Sequence, residues 1–446
     1  MATQIIFGTN GIDTIDVLDG FHTITNNFII YGFKGNDFLR GGIGNDIIFA
    51  GDGNDTVMGT GGNNILDGGK GNDNIFGAVD VGIINITSPG LVPVAETGNL
   101  LYGGDGNDLL CGGLGGAFLT AINVNTTIDV STKSNILFGG DGNDKLFGND
   151  GSISFIGTNV SGSVVINNEG NTLFGGDGND FLCGHEQTGE INIQNATVLT
   201  FSDTVNQAGS NLFGGVGNDV IYGSAESIKI TVVNAHWTEV DNCSSDNLFG
   251  DAGNDTLVGD DHAWTWNFTN VDGTNICTRG NDVLDGGAGN DILVGDVEIL
   301  KATVTNSPSF IMEEHYGKDI LLGGAGNDTM WGDVVDNSGV SALVQQFFAN
   351  DTFVFSLNGN FGKDVIKDMN AGGVQDTLKF TDVKNVGAPT LDAADVNARI
   401  SAFVANGDGD LVVKFIGGAQ ITFEDVAYTG QSSILQVVDA AHLVIV

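Results

Sequence analysis

Proline and cysteine are both scarce in this chain, with 4 of each in 446 residues. So little proline excludes a collagen-like triple helix, which also needs a strict three-residue glycine period. So few cysteines exclude a disulfide scaffold. Basic residues are few as well: 15 Lys and Arg stand against 56 Asp and Glu, for a net charge of −41. Such a surface repels nucleic acid and anionic lipid, so neither is expected as a partner. No apolar run reaches the roughly 18 residues that would suggest a transmembrane helix. The opening MATQIIFGTNG has neither the basic start nor the apolar stretch of a secretory signal. Disordered acidic chains are poor in apolar residues, whereas 41% of this chain is hydrophobic and 27 residues are Phe. It can therefore bury a core, and cation binding is the simplest use for its acid excess.

Glycine is abundant, with 70 residues, and it recurs with a period. From Gly32 to Phe76 the chain falls into consecutive nines: GFKGNDFLR, GGIGNDIIF, AGDGNDTVM, GTGGNNILD and GGKGNDNIF. A weaker copy, GTNGIDTID, occupies 8–16. The nine then returns at wider spacing, from Gly103, Gly139, Gly175, Gly214, Gly250, Gly286 and Gly323, with steps of 36, 36, 39, 36, 36 and 37 residues. Each copy is a Gly-rich turn, an Asn-Asp pair and an apolar triplet. Glycine permits positive φ and close approach of neighbouring backbones. The triplet is a minimal strand whose middle residue (Leu110, Leu146, Leu182, Ile221, Leu257, Leu293) is expected to point inward. Two nines make one coil, and coils stack about 4.8 Å apart. The sixth-position Asp and the carbonyls of stacked turns then form an oxygen cage of the kind Ca2+ takes.

These nines resemble the RTX nonapeptide, GGxGxDx(apolar)x, of calcium-binding β-rolls. The resemblance implies an all-β, right-handed parallel β-roll or β-solenoid with Ca2+ as its cofactor. The wide spacing departs from the simple pattern. A degenerate half-copy (GNLLY, SNILF, GNTLF and their successors) precedes each strong one, so both strands of each coil are retained and only one joining turn is enlarged, by about eighteen residues. The enlargements, such as FLTAINVNTTIDV, IKITVVNAHWTEV and WTWNFTNVDGTNI, alternate, turn and alternate again, which is hairpin patterning. Stacked at one pitch they would widen the solenoid on one edge as a wing.

The metal ligands are accordingly assigned unevenly. In the narrow block they are Asp37, Asp46, Asp55 and Asp73, with Asn64 weakening one site. On the intact edge they are Asp108, Asp144, Asp180, Asp219, Asp255, Asp291 and Asp328. On the enlarged edge the sixth position reads Asn99, Asn135, Asn171 and Ser210, then Asp246, Asp282 and Asp319. Calcium is expected there only late, with Asp282 and Asp319 as ligands. Acidic wing-root residues (Asp150, Glu186, Glu226, Asp261, Glu298) read as a solvated face. Ninth-position aromatics (Phe49, Phe76, Tyr102, Phe138, Phe147, Phe174, Phe213, Tyr222, Phe249, Trp331) face away from the core and suggest an assembly ladder.

The organisation reads as an N-terminal cap over 1–31, a simple roll and first enlarged turn over 32–98, wide coils over 99–335 and a β-rich C-terminal cap over 336–446. Within the cap, LDAADVNARISAFVA reads as one amphipathic helix. The closing DAAHLVIV resembles the uncleaved signal of type I secretion substrates, and a final β-strand is the simpler alternative. Cys111 and Cys183, two coils apart, should be free thiols, whereas pairing of Cys243 with Cys277 is open. Enzymatic motifs are lacking: His185-Glu186 has no second His four positions on from His185, and no GxSxG elbow occurs. The reading is a secreted, calcium-dependent, non-enzymatic scaffold that self-associates into a surface layer, matrix or filament. Its rival is an adhesin presenting Trp237, Trp264 and Trp266 to glycan.

Overall fold

The middle residue of each apolar triplet decides the architecture. Leu39, Val57, Ile75, Leu110, Leu146, Leu182, Ile221, Leu257, Leu293 and Met330 are all fully buried in one continuous core. In the computed structural model the described residues are 3–17, 26–78, 82–86, 90–95, 98–113, 117–122, 125–149, 152–158, 161–185, 188–195, 201–243, 245–357, 361–368, 375–381, 391, 393–427, 429 and 444–445. They form a parallel β-solenoid.

Three-residue strands such as Leu109–Cys111, Lys145–Phe147 and Phe181–Cys183 stack in parallel into a short-strand sheet. The half-copies give six-residue strands, among them Leu100–Asp105, Ile136–Asp141 and Thr172–Asp177, in a facing long-strand sheet. Leu101, Leu137 and Leu173 stand in register there and meet the triplet residues across the core. Each fully buried Leu contributes about 1.5–3 kcal/mol of apolar burial. An array of such residues sustains a coil too thin to be stable alone.

The enlarged turns form a third, wing sheet. The enlargements stack at one pitch and pair from coil to coil, as expected: among the described pairings, each arm pairs in parallel with the same arm of the neighbouring coil, Ala117–Ile122 with Ser152–Thr158 and Asn125–Ser131 with Ser161–Asn168. In Ser227–Asn242 and Ala263–Thr278 both arms are one continuous 16-residue strand. Its corner is an Asn with positive φ, Asn234 at 54° and Asn270 at 53°. These align with Asn195 and Asn306, also left-handed, and Asn270 Nδ2 donates to Asn234 Oδ1 at 2.8 Å. Asn tolerates this region better than other side chains.

The wing has its own core, and it contains the tryptophans. Trp237 and Trp266 are fully buried and Trp264 is 3% exposed. This corrects the adhesin reading, since alternation placed these rings on a face but could not say that the face was covered. The ninth-position aromatics divide in two. Phe76, Phe147 and Tyr222, on the short-strand sheet, are buried. Tyr102, Phe138, Phe174, Phe213 and Phe249, on the long-strand sheet, stack at 4.8–5.1 Å between ring centroids along a half-exposed stripe.

The C-terminal region closes one end with the antiparallel strands Ile400–Ala405, Asp410–Phe415 and Gln420–Ala427. The expected single helix is shorter: it covers Ala393–Arg399 and gives way to a strand at Ile400. The β-branched and aromatic residues of ISAFVA pair better than they would coil. Val444–Ile445 add a short strand beside Thr377–Thr381, and the rest of DAAHLVIV lies outside the described residues.

Candidate metal centres

On the intact edge the sixth-position carboxylates form one ladder. The backbone N–H of Asp108 donates to Asp144 Oδ1 at 2.8 Å, that of Asp144 to Asp180, and that of Asp180 to Asp219. The same bond links Asp37, Asp55, Asp73 and Asp108, and continues from Asp219 through Asp255, Asp291 and Asp328 to Asp364. Asp13, in the weak first copy, donates to Asp37. The preceding Asn forms a second ladder of opposite sense, since Asn143 N–H donates back to Asn107 Oδ1 and Asn179 N–H to Asn143 Oδ1. Its role was missed in the sequence, although the recurring Asn-Asp pair was its signal.

In most of these carboxylates one oxygen has no such donor. The Oδ2 atoms of Asp37, Asp55, Asp73, Asp108, Asp144, Asp180, Asp219 and Asp255 are buried without a hydrogen-bond partner. The first glycine of the nine explains the space around them. A Cβ on Gly103 would sit 2.4 Å from Asp108 Oδ2 and 2.5 Å from the Gly139 carbonyl of the next coil. Two acceptors thus face one cradle. Buried acceptors without a donor cost about 1–3 kcal/mol each, more if charged, and a hard cation with oxygen ligands removes that cost. Burial pushes the carboxyls up, to about 6 for Asp108 and Asp180 and about 7 for Asp144 and Asp255. Asp46 differs: its two oxygens accept from the N–H groups of Phe28 and Gly42, at 2.7 and 2.6 Å.

The enlarged edge shows what replaces the cation. Asn99, Asn135 and Asn171 keep the ladder through Oδ1. Their Nδ2 groups donate to the carbonyls of Gly112, Gly148 and Gly184 at 2.8, 2.8 and 2.7 Å. Asn64 does the same to Gly77 at 3.1 Å. The amide stands where the intact edge offers only oxygens, so an asparagine coil supplies its own donor. At Asp246, Asp282 and Asp319 the carboxylate returns, each buried with Oδ2 unpartnered. Asp351 and Asp376, not assigned from the sequence, extend this ladder.

The wing roots are not one solvated face. Asp261 is fully buried in an ion pair with Arg279 at 3.0 Å, and Glu298 meets His262 at 2.6 Å. Asp150 and Glu186 lie outside the described residues. Cys111, Cys183, Cys243 and Cys277 form no disulfide.

A family model for the RTX calcium-binding nonapeptide repeat matches residues 31–66, 49–83, 98–119, 123–152, 167–188, 209–226, 244–263, 278–297 and 316–337. This chain is an RTX calcium-binding repeat protein. The matches follow the coils from the narrow block to the last wide nine, so the resemblance read from the nonapeptides holds along the array. A search of curated proteins finds no match.

Protons are expected to compete with calcium in this RTX array. The folded-state carboxyls sit near 6 to 7 against an ordinary 3.8, so between those values the folded chain binds more protons than the unfolded one. Stability in chelator therefore falls as pH rises through that window and is greatest below it. Circular dichroism in chelator should show more β structure at pH 5 than at pH 8. Equal spectra would mean that the buried carboxylates do not oppose folding.

Proposed function

We propose that this RTX protein is a secreted, calcium-dependent structural scaffold without enzymatic activity, which self-associates into a surface layer, matrix or filament. The observation that supports this most is the half-exposed ladder from Tyr102 to Phe249 on the outer face of the long-strand sheet. Isoleucines flank it, with Ile65 38% and Ile136 42% exposed. A continuous apolar stripe of this kind marks an association surface. It exists only while the coils are stacked, so calcium would govern assembly as well as folding. Export in an unfolded, calcium-free state followed by folding outside the cell fits such a chain, and the similarity of DAAHLVIV to type I secretion signals supports that route. Among the described residues no helix is long and apolar enough to cross a membrane. Glycan binding through the wing tryptophans has lost its support, because the rings are enclosed.

Electron microscopy of the purified protein tests the scaffold. Ordered sheets or fibres are expected with calcium and none in chelator. Phe174→Asp should abolish them while leaving a calcium-loaded β spectrum. Wild-type protein that stays monomeric with calcium would overturn the scaffold reading.

A further inference from the structure

The long-strand sheet carries a groove beside its aromatic stripe. Tyr102, Phe138, Phe174 and Phe213 stand in register on its outer face, with ring centroids 4.8–5.1 Å apart and ring planes within 8° of parallel. Two residues further along each strand comes a half-buried glycine: Gly104, Gly140, Gly176 and Gly215, again in register. Each has a positive φ of 110–118°, and a Cβ on any of them would lie 2.0–2.2 Å from the carbonyl oxygen of the glycine in the coil before it. This column can therefore hold no side chain. The next residue is Asp105, Asp141 and Asp177 in three successive coils, and all three are exposed. The result is a channel along the solenoid, with rings on one side, bare backbone as its floor and carboxylates along its other margin.

Both ends of the channel are closed. At the near end Asp67 replaces the ring in the aromatic column, and Lys70 pairs with Asp105. At the far end Asp251 takes the glycine position, with a φ of 67°, and puts a side chain where the floor was bare. The open stretch thus crosses four coils, about 15 Å at roughly 4.8 Å per coil. Its charge is one-sided. Among the described residues no Lys or Arg pairs with Asp141 or Asp177, and the chain as a whole carries −41.

We propose that this channel binds an elongated, planar aromatic cation lying along the solenoid axis. The ring faces are used on one another, so the wall offers ring edges. Edges take the flat face of another aromatic group in an edge-to-face contact, whereas a small ammonium ion would need the faces. The bare glycine floor admits a thin plate, and the carboxylate margin selects positive charge. The scaffold reading uses the same aromatic stripe, so ligand and second copy would compete for it. Binding in the channel is nevertheless a property of the single calcium-loaded chain and needs no assembly.

The probe is thioflavin T, a planar benzothiazolium cation, titrated into calcium-loaded full-length protein while light scattering is followed in the same cell. Saturable binding by the monomer is expected, lost in chelator and weakened by salt. Asp141→Lys/Asp177→Lys reverses the charge of the margin at exposed positions, and Lys34 and Lys70 already stand in that column. It should abolish binding while leaving the calcium-loaded β spectrum. Phe138→Leu/Phe174→Leu removes two rings in a column that holds Leu322 further on, and should weaken binding about tenfold. The anionic aromatic anilinonaphthalene sulfonate should not compete. Unchanged binding in the Lys variant, or dye bound only by assembled protein, would overturn the proposal. Should the Leu variant fail to fold, the Lys variant and the salt dependence of the wild type decide. A wild-type chain that binds the dye yet never assembles would uphold the channel while overturning the scaffold reading.

Discussion

Chelating calcium is expected to convert this RTX protein from β structure to a largely unfolded chain. The intact edge alone stacks carboxylates from Asp37 to Asp364, each bonded to its neighbour through one oxygen. The other oxygen of Asp108, Asp144, Asp180 and Asp219 faces its cradle with no donor. Without a cation these groups stay charged and unpaired, or take up protons at a cost that rises with pH. The Gly-rich turns meanwhile regain conformational entropy, about 1–2 kcal/mol per residue released. A dozen divalent ions would offset about 24 charges of a −41 excess. Ion binding and folding are then one event. Far-ultraviolet circular dichroism in chelator should show coil, and millimolar calcium should restore the β minimum. A full β spectrum in excess chelator at neutral pH would contradict the expectation.

Gly178→Ala is expected to cost about 4 kcal/mol or more, the range reserved for severe backbone or packing conflicts. Gly178 has a φ of +147°, and a Cβ there would lie 1.6 Å from the Gly142 carbonyl oxygen of the coil before it. Neither atom can move away without pulling coils apart, because Gly142 N–H is itself bonded to the Asp177 carbonyl at 2.7 Å. Gly418→Ala is the control. Its φ of +102° is also left-handed, but nothing lies within 4 Å of the added methyl, so only the conformational cost of about 1–2 kcal/mol remains. Denaturant unfolding in saturating calcium compares the two. Similar losses would mean that close stacking of the turns is not what demands glycine.

The residues that were legible in the sequence are those that repeat in phase. Leu110, Leu146 and Leu182 recur at one position, and nothing but a stacked coil buries all of them. The 36-residue step likewise announced an enlargement of constant size on one turn. What escaped had no phase of its own or admitted two partners. The constant pitch implied that the wings stack and pair with one another, but alternation looks the same on either arm, so which arm meets which in the next coil could not be read. The same alternation left Trp264 and Trp266 free to face solvent, until a second layer of arms was seen to cover them. Asn99, Asn135 and Asn171 read as lost charges. In three dimensions they are replacements, because the amide donates to the very carbonyl that a cation would hold. Asp260 and Asp296 escaped because they meet Asp282 only when coils are stacked.

The most direct measurement is the calcium content of three single variants, Asp180→Ala, Asn171→Ala and Asp282→Ala, by metal analysis or calorimetric titration. Asp180→Ala removes a carboxylate shared by neighbouring coils on the intact edge and should lower the count by about one or two ions, because each cage needs its full oxygen set. Asn171→Ala removes an uncharged amide that accepts from the Asn135 N–H and already satisfies the Gly184 carbonyl, so the count should stay at the wild-type value. Asp282→Ala, on the same edge where the carboxylate has returned, should fall as Asp180→Ala does. Equal losses from Asn171→Ala and Asp180→Ala would contradict the assignment of calcium to carboxylate coils and of self-sufficiency to asparagine coils.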